Sequence, residues 1–169
     1  MAIVQADIQI RLSGGSGNTD PDASLGGAIS TTGITDATLS NLFDQVSGDE
    51  SSAGDTEYRC FYFKNNHGSL ALQNAVVWVD ANTPASDTSV EIALAGEGVN
   101  GTAETIANES TAPSGETFSA PATKGAGLSV GNIPAGQHIA VWVKRIINAA
   151  AAANNLDNVI IKIEGETAA

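Results

Sequence analysis

The chain has 169 residues, and seven Lys and Arg against nineteen Asp and Glu leave a formal net charge of −12. That balance weighs against nucleic acid and against an anionic membrane surface as partners, because affinity for phosphate comes mainly from Lys and Arg. The length fits one domain over residues 1–169 that folds without staples, and 42% hydrophobic residues set it apart from disordered chains.

Cys60 is the single cysteine, so no internal disulfide forms. No run approaches the roughly 18 apolar residues of a membrane-spanning helix. The start, Met-Ala-Ile-Val-Gln-Ala-Asp, carries neither a basic nor an apolar secretory region, so synthesis in a cytoplasm is expected.

Alternation with a period of two is the strongest signal along the chain. Ile8, Ile10 and Leu12 alternate with Gln9 and Arg11, which predicts a half-buried strand. Tyr58–Lys64 is aromatic in both registers and predicts a strand covered on both faces. Leu72–Asp80 holds Ala75-Val76-Val77-Trp78-Val79, a central strand by composition. Ser89–Ala95 sets Val90, Ile92 and Leu94 on one face. Ile139–Ile147 sets Ile139, Val141 and Val143 on one face, with Ala140, Trp142 and Lys144 on the other. Val159–Glu164 turns Val159, Ile161 and Ile163 inward and Lys162 outward. Glu116–Ser119 and Leu128–Val130 are weaker strand candidates.

Turn chemistry separates these runs at 65–68, 82–84, 132–136 and 149–155. The alanine run 149–153 is too short for an independent helix and reads as a hairpin tip. A weak helical period surrounds Leu39, Leu42 and Phe43, with Asp36 as N-cap. Short strands with Gly and Pro turns and little helix predict an all-β fold, a single antiparallel β-sandwich. An immunoglobulin-like arrangement leads, and a jelly roll is the alternative. Two long loops or arms interrupt the strands, residues 13–56 and 96–125. The first carries isolated apolar residues, Leu25, Ile29, Ile34, Leu39, Leu42, Phe43 and Val46, that pack on the chain's own sandwich or on a neighbouring subunit.

Catalytic chemistry finds little support. Gly127-Leu128-Ser129-Val130-Gly131 matches G-x-S-x-G, but that motif requires a strand, a sharp turn and a helix, and here a Pro-Gly turn and a strand follow. Gly14-Gly15-Ser16-Gly17 lacks the spacing of a phosphate loop. His67, His138 and Cys60 lack zinc-ligand spacing. Cys60 reads as a buried, inert thiol. Tyr58, Phe61, Tyr62, Phe63, Trp78 and Trp142 read as core residues, with a stacking platform for sugar or base as the alternative. Two acidic clusters, Asp20-Pro21-Asp22 and Asp44…Asp49-Glu50…Asp55…Glu57, read as solvated loops. They leave room for a surface calcium site but lack the EF-hand spacing, so no cofactor is expected.

Several stretches resemble small virion structural proteins of tailed bacteriophages. They are Arg11-Leu12-Ser13-Gly14-Gly15, the run from Asn18 to Gly27, Asn41-Leu42-Phe43-Asp44-Gln45-Val46-Ser47-Gly48 leading into Glu57-Tyr58-Arg59-Cys60, and the run from Ala107 to Pro113. The turn Ile133-Pro134-Ala135-Gly136-Gln137-His138 before a Val-Trp-Val strand is similar too, and resembles an immunoglobulin-like module. Such a module has about 100 residues, so roughly 70 here fall in long loops or added strands. The resemblance implies a non-enzymatic capsid decoration (cement) protein on the virion surface. It would contact the major capsid protein as a homo-oligomer on the particle, with the apolar residues of the 13–56 arm as candidate contacts. A tail component, or a carbohydrate-binding or adhesin sandwich, is the alternative.

Overall fold

The computed structural model describes residues 2–154 and 157–167. Its elements in chain order are β1 (Ile8–Leu12), β2 (Gly26–Gly27), α1 (Gly48–Ala53), β3 (Asp55–Asn65), β4 (Leu72–Ala81), β5 (Thr88–Leu94), β6 (Ala103–Thr105), β7 (Leu128–Ile133), β8 (His138–Ile147) and β9 (Ile160–Thr167). They form an antiparallel β-sandwich. One sheet has the order β1-β3-β8-β5 and the other β7-β4-β9, while β2 and β6 make a short ribbon. Four strands facing three is the division of constant-type immunoglobulin sandwiches, with this strand order in place of that fold's.

The alternating patterns build the core. Phe61, Phe63, Val90, Ile92, Ile139, Val141 and Val143 from the four-stranded sheet meet Leu72, Ala75, Val77, Val79 and Ile133 from the three-stranded one. Val159, Ile161 and Ile163 close the same cluster, as their alternation with exposed Ile160 and Lys162 requires. Burying each such side chain contributes about 1.5–3 kcal/mol. The buried Asn65 ties the sheets polarly, its amide donating to the carbonyl oxygens of Leu70 at 2.8 Å and Ile133 at 2.9 Å.

The opposite face of the four-stranded sheet is buried as well. Cys60, Tyr62, Ala93, Ala140 and Trp142 form a second cluster with Ala95, Ala103 and Ile106, and Leu25, Ile29, Tyr58 and Phe118 pack against it. Small alanines on β5 and β8 leave room for a third layer, made by the β2–β6 ribbon and the segments around it. This is why Tyr58–Lys64 is apolar in both registers.

The long 13–56 segment therefore folds back on its own domain. Residues 30–34 line the free edge of β1, with Leu12 N–H donating to Thr32 O at 3.1 Å and Ile34 N–H to Ile10 O at 3.0 Å. Ser24 and Glu109 carbonyls take the N–H groups of Cys60 and Tyr58 beyond the end of β1.

Three sequence expectations are corrected. The helix around Leu39, Leu42 and Phe43 with Asp36 as cap does not form; Ala37 (φ 55°) and Ser40 (φ 54°) adopt left-handed backbone that interrupts it. A helix forms instead at Gly48–Ala53, where Ser47 and Glu50 make a reciprocal capping box. The alanine run is not a hairpin tip, because β8 and β9 lie in different sheets. It crosses between sheets and donates from Ala150 and Ala151 to the carbonyls of Ser52 and Ser51 on α1. Asn155, at the end of that expected turn, lies outside the described residues. Glu116–Ser119 is reduced to one bridge, Ser119 to Ile92.

Candidate functional site

At one end of the sandwich core the inward positions of β3 and β8 change from apolar to charged. Continuing inward from Phe63 and Phe61, β3 presents Arg59 and Glu57; continuing from Val141 and Val143, β8 presents Arg145. Glu57 and Arg145 are direct cross-strand partners, and the Arg145 Nε donates to Glu57 Oε2. Arg145 also donates to the Asp44 carbonyl oxygen at 2.7 Å and to its Oδ1 at 3.1 Å. Arg59 pairs with Glu109, and its guanidinium lies 3.7 Å from Asp22.

Phe43 sits between the two guanidinium groups, its ring centroid 4.7 Å from Arg145 and 5.5 Å from Arg59. The ring attracts both cations, and together with the Arg145 bonds to Asp44 this fastens residues 43–44 over the end of the core. Glu57 and Arg59 are almost fully buried. Burial pushes the Glu57 carboxyl above its usual range, and the Arg145 contact opposes that rise. Among the described residues, Glu57 Oε1 and Arg59 Nε are buried without a hydrogen-bond partner. The pattern is that of an ion-pair network that holds a loop, with charge exceeding what its two arginines neutralise.

Sequence reading missed Arg59 and Arg145 as anchors. Their signal was present: each continues the inward register of its strand, two residues beyond an apolar core position.

The other sequence candidates fall apart spatially or turn structural. Ser129 lies exposed on β7, a strand paired with β4 and not a strand–turn–helix elbow. The His67 ring nitrogen Nδ1 accepts from Ser69 N–H at 3.1 Å and Leu70 N–H at 3.0 Å, which caps its own turn. His138 opens β8 with its ring edge-on to Tyr62, centroids 5.0 Å apart, and burial lowers its pKa. Cys60 is fully buried, and burial pushes its thiol far up. Gly14 to Gly17 form a turn whose Gly15 N–H donates to Ala28 O at 2.8 Å, part of the layer over the sheet. Phe61, Tyr62, Phe63, Trp78 and Trp142 are buried and Tyr58 is partly so, which leaves them as core residues.

Asp20 caps a short 3-10 turn, its Oδ1 accepting from Asp22 N–H at 3.0 Å. Of the seven arm residues, Leu25 and Ile29 pack into the outer cluster. Ile34, Leu42 and Phe43 pack against the main core. Leu39, 76% exposed, and Val46, 37% exposed, face outward. Among the described residues no helix is long and apolar enough to cross a membrane.

Comparison with known proteins gives no match: no family model fits the chain, and no curated protein or solved structure is similar to it.

Proposed function

We propose that this chain is a non-enzymatic structural protein of a bacteriophage virion, a capsid decoration (cement) protein held on the outside of the head against the major capsid protein. Its identity as a virion protein rests on the resemblance of the stretches quoted above. The structural observation that carries the docking role is the loop 35–47. Phe43 fastens this loop between Arg59 and Arg145, yet the loop presents Leu39 at 76% exposure to solvent. A large apolar side chain held outward on a loop anchored at its flanks, by Ile34 on one side and by Leu42 and Phe43 on the other, suits burial against a neighbour, since those anchors already restrict the loop. Many identical contacts of this kind on a symmetric shell reinforce one another through avidity. The net charge of −12 suits a soluble, outward-facing surface and disfavours nucleic acid as partner.

The carbohydrate-binding alternative needs an exposed aromatic ring to stack on a sugar. Trp78 and Trp142, its best candidates, are 6% and 0% exposed, so the structure favours the packing role for them.

An antibody to this chain with gold-labelled virions tests the reading. Even label over the head supports decoration. Label confined to the tail moves the protein there, and no label on any particle discards the virion reading. Leu39→Asp should leave the free protein folded and weaken its binding to heads that lack it.

A further inference from the structure

We propose that Glu50, Asp55 and Glu57 form a calcium-binding site between α1 and the start of β3. One carboxylate oxygen from each of the three lies within 4.8 Å of the other two. Oxygens that close suit a hard cation with metal–oxygen distances of about 2.3–2.6 Å. Glu57 supplies the second, independent observation. Its side chain is fully buried, Oε2 is engaged by Arg145, and Oε1 has no partner. A buried carboxylate oxygen without a donor is costly unless something cationic or hydrogen-bonding meets it. Glu50 and Asp55 are partly buried, and each engages a backbone N–H through one oxygen. Glu50 Oε2 accepts from Ser47 at 2.6 Å, and Asp55 Oδ1 accepts from Thr56 at 2.7 Å.

A second carboxylate triad, Asp44, Glu57 and Glu109, shares Glu57 but is already threaded by Arg145 and Arg59. Those guanidiniums explain its convergence and disfavour a metal there. No Lys or Arg pairs with Glu50 or Asp55 among the described residues; Arg145, at Glu57, is the one cation that touches the first triad, whereas both Arg59 and Arg145 touch the second, so the first is the less neutralised. The three ligands come from an eight-residue stretch whose ends are fixed by the capping box on α1 and by the β3 ladder. Gly54, at φ 78°, makes the turn between them, where an added Cβ would meet Ala149 N at 2.9 Å. The ligands are thus held together before any ion arrives. Calcium rather than magnesium fits, since magnesium keeps most of its water and demands octahedral geometry. The ion would fasten α1, and with it the alanine run that donates to α1, onto the sandwich.

The test is calorimetric titration of the full chain, freed of divalent ions with chelator, with calcium chloride. Wild type should bind one calcium per chain with a dissociation constant of about 10⁻⁴ M, typical of extracellular modules. Its Tm should rise by several degrees in about 10 mM calcium. Glu50→Gln and Asp55→Asn, both at partly exposed positions, should each weaken binding about tenfold or more, whereas Asp44→Asn and Glu109→Gln should not. Glu57→Gln should abolish binding, with circular dichroism reporting whether it folds; should it not fold, the first two variants decide alone. No heat and no Tm change in wild type would overturn the site, as would unaltered binding in both Glu50→Gln and Asp55→Asn. Equal affinity for magnesium would overturn the assignment to calcium.

Discussion

The Tyr62 hydroxyl donates to the Gly27 carbonyl oxygen at 2.6 Å while accepting the Ala103 N–H at 3.0 Å. One side chain of the central sheet thereby pins both strands of the outer ribbon. Burial pushes its pKa up to about 12, so the proton needed for the donation stays in place at any working pH. Tyr62→Phe leaves the Gly27 carbonyl and the Ala103 N–H without this partner. The expected loss is about 1–3 kcal/mol, the desolvation penalty of unpaired buried groups. Urea unfolding reads it, and hydrogen exchange should show the loss concentrated at residues 24–30 and 103–106. A loss spread evenly over the domain would contradict the pinning role.

A second prediction concerns Glu57 and Arg145, which face each other across β3 and β8. Removing one partner strands a buried charge, so Arg145→Met should destabilise by about 3–5 kcal/mol in chelator. The double variant Arg145→Met with Glu57→Leu removes both charges and should recover most of that loss. Denaturant midpoints of the two singles and the double give the coupling. A double variant as unstable as the sum of the singles would show that the pair does not act as a unit.

The major strands were legible because their side chains alternate against one solvent-excluded face. Ile139, Val141 and Val143 fall inward as their spacing requires, and so do Ile161 and Ile163. The outer layer was not legible. Nothing local in Leu25, Ile29 or Phe118 tells that they cover Cys60 and Trp142 from a distance of many residues. The alanine run failed for the same reason: its turn chemistry is local, while the choice of sheet for β9 rests on pairing with β4, far back in the chain. The carboxylates of 44–57 were visible as a cluster, but the arginines that neutralise part of it come from β3 and β8. Only the pairing of those strands shows which acidic groups stay uncompensated.

Burial lowers the His138 pKa below the ordinary value of 6.5, chiefly through desolvation. The native state therefore prefers the neutral ring, and the unfolded chain takes up the proton first on acidification. The stability contributed by the neutral ring is complete above pH 6.5 and is lost as pH falls through the folded value. Replacing this ring by a group that does not titrate should flatten that part of the profile. Between pH 7 and 5, wild type should lose more stability than His138→Gln, measured as denaturant midpoints. Parallel curves would remove His138 as the cause.

The loop 35–47 gives the last prediction. Ile34, Leu42 and Phe43 are held against the core, while Leu39 stands exposed between Ala37 and Ser40 in left-handed backbone. Free protein should therefore resist proteolysis through most of residues 13–56 and be cut near Leu39, where the chain is least anchored. Chymotrypsin and thermolysin both accept leucine, and mass spectrometry locates the cut. Phe43→Ala removes the ring from between the two guanidiniums, so cutting should quicken and spread toward Val46. On phage heads the Leu39 cut should disappear if this side chain is buried against the shell. Equal cutting in the free and particle-bound states would place the contact elsewhere on the protein. Cutting spread over the whole of 13–56 in the free protein would contradict the packing of Leu25, Ile29 and Ile34 themselves.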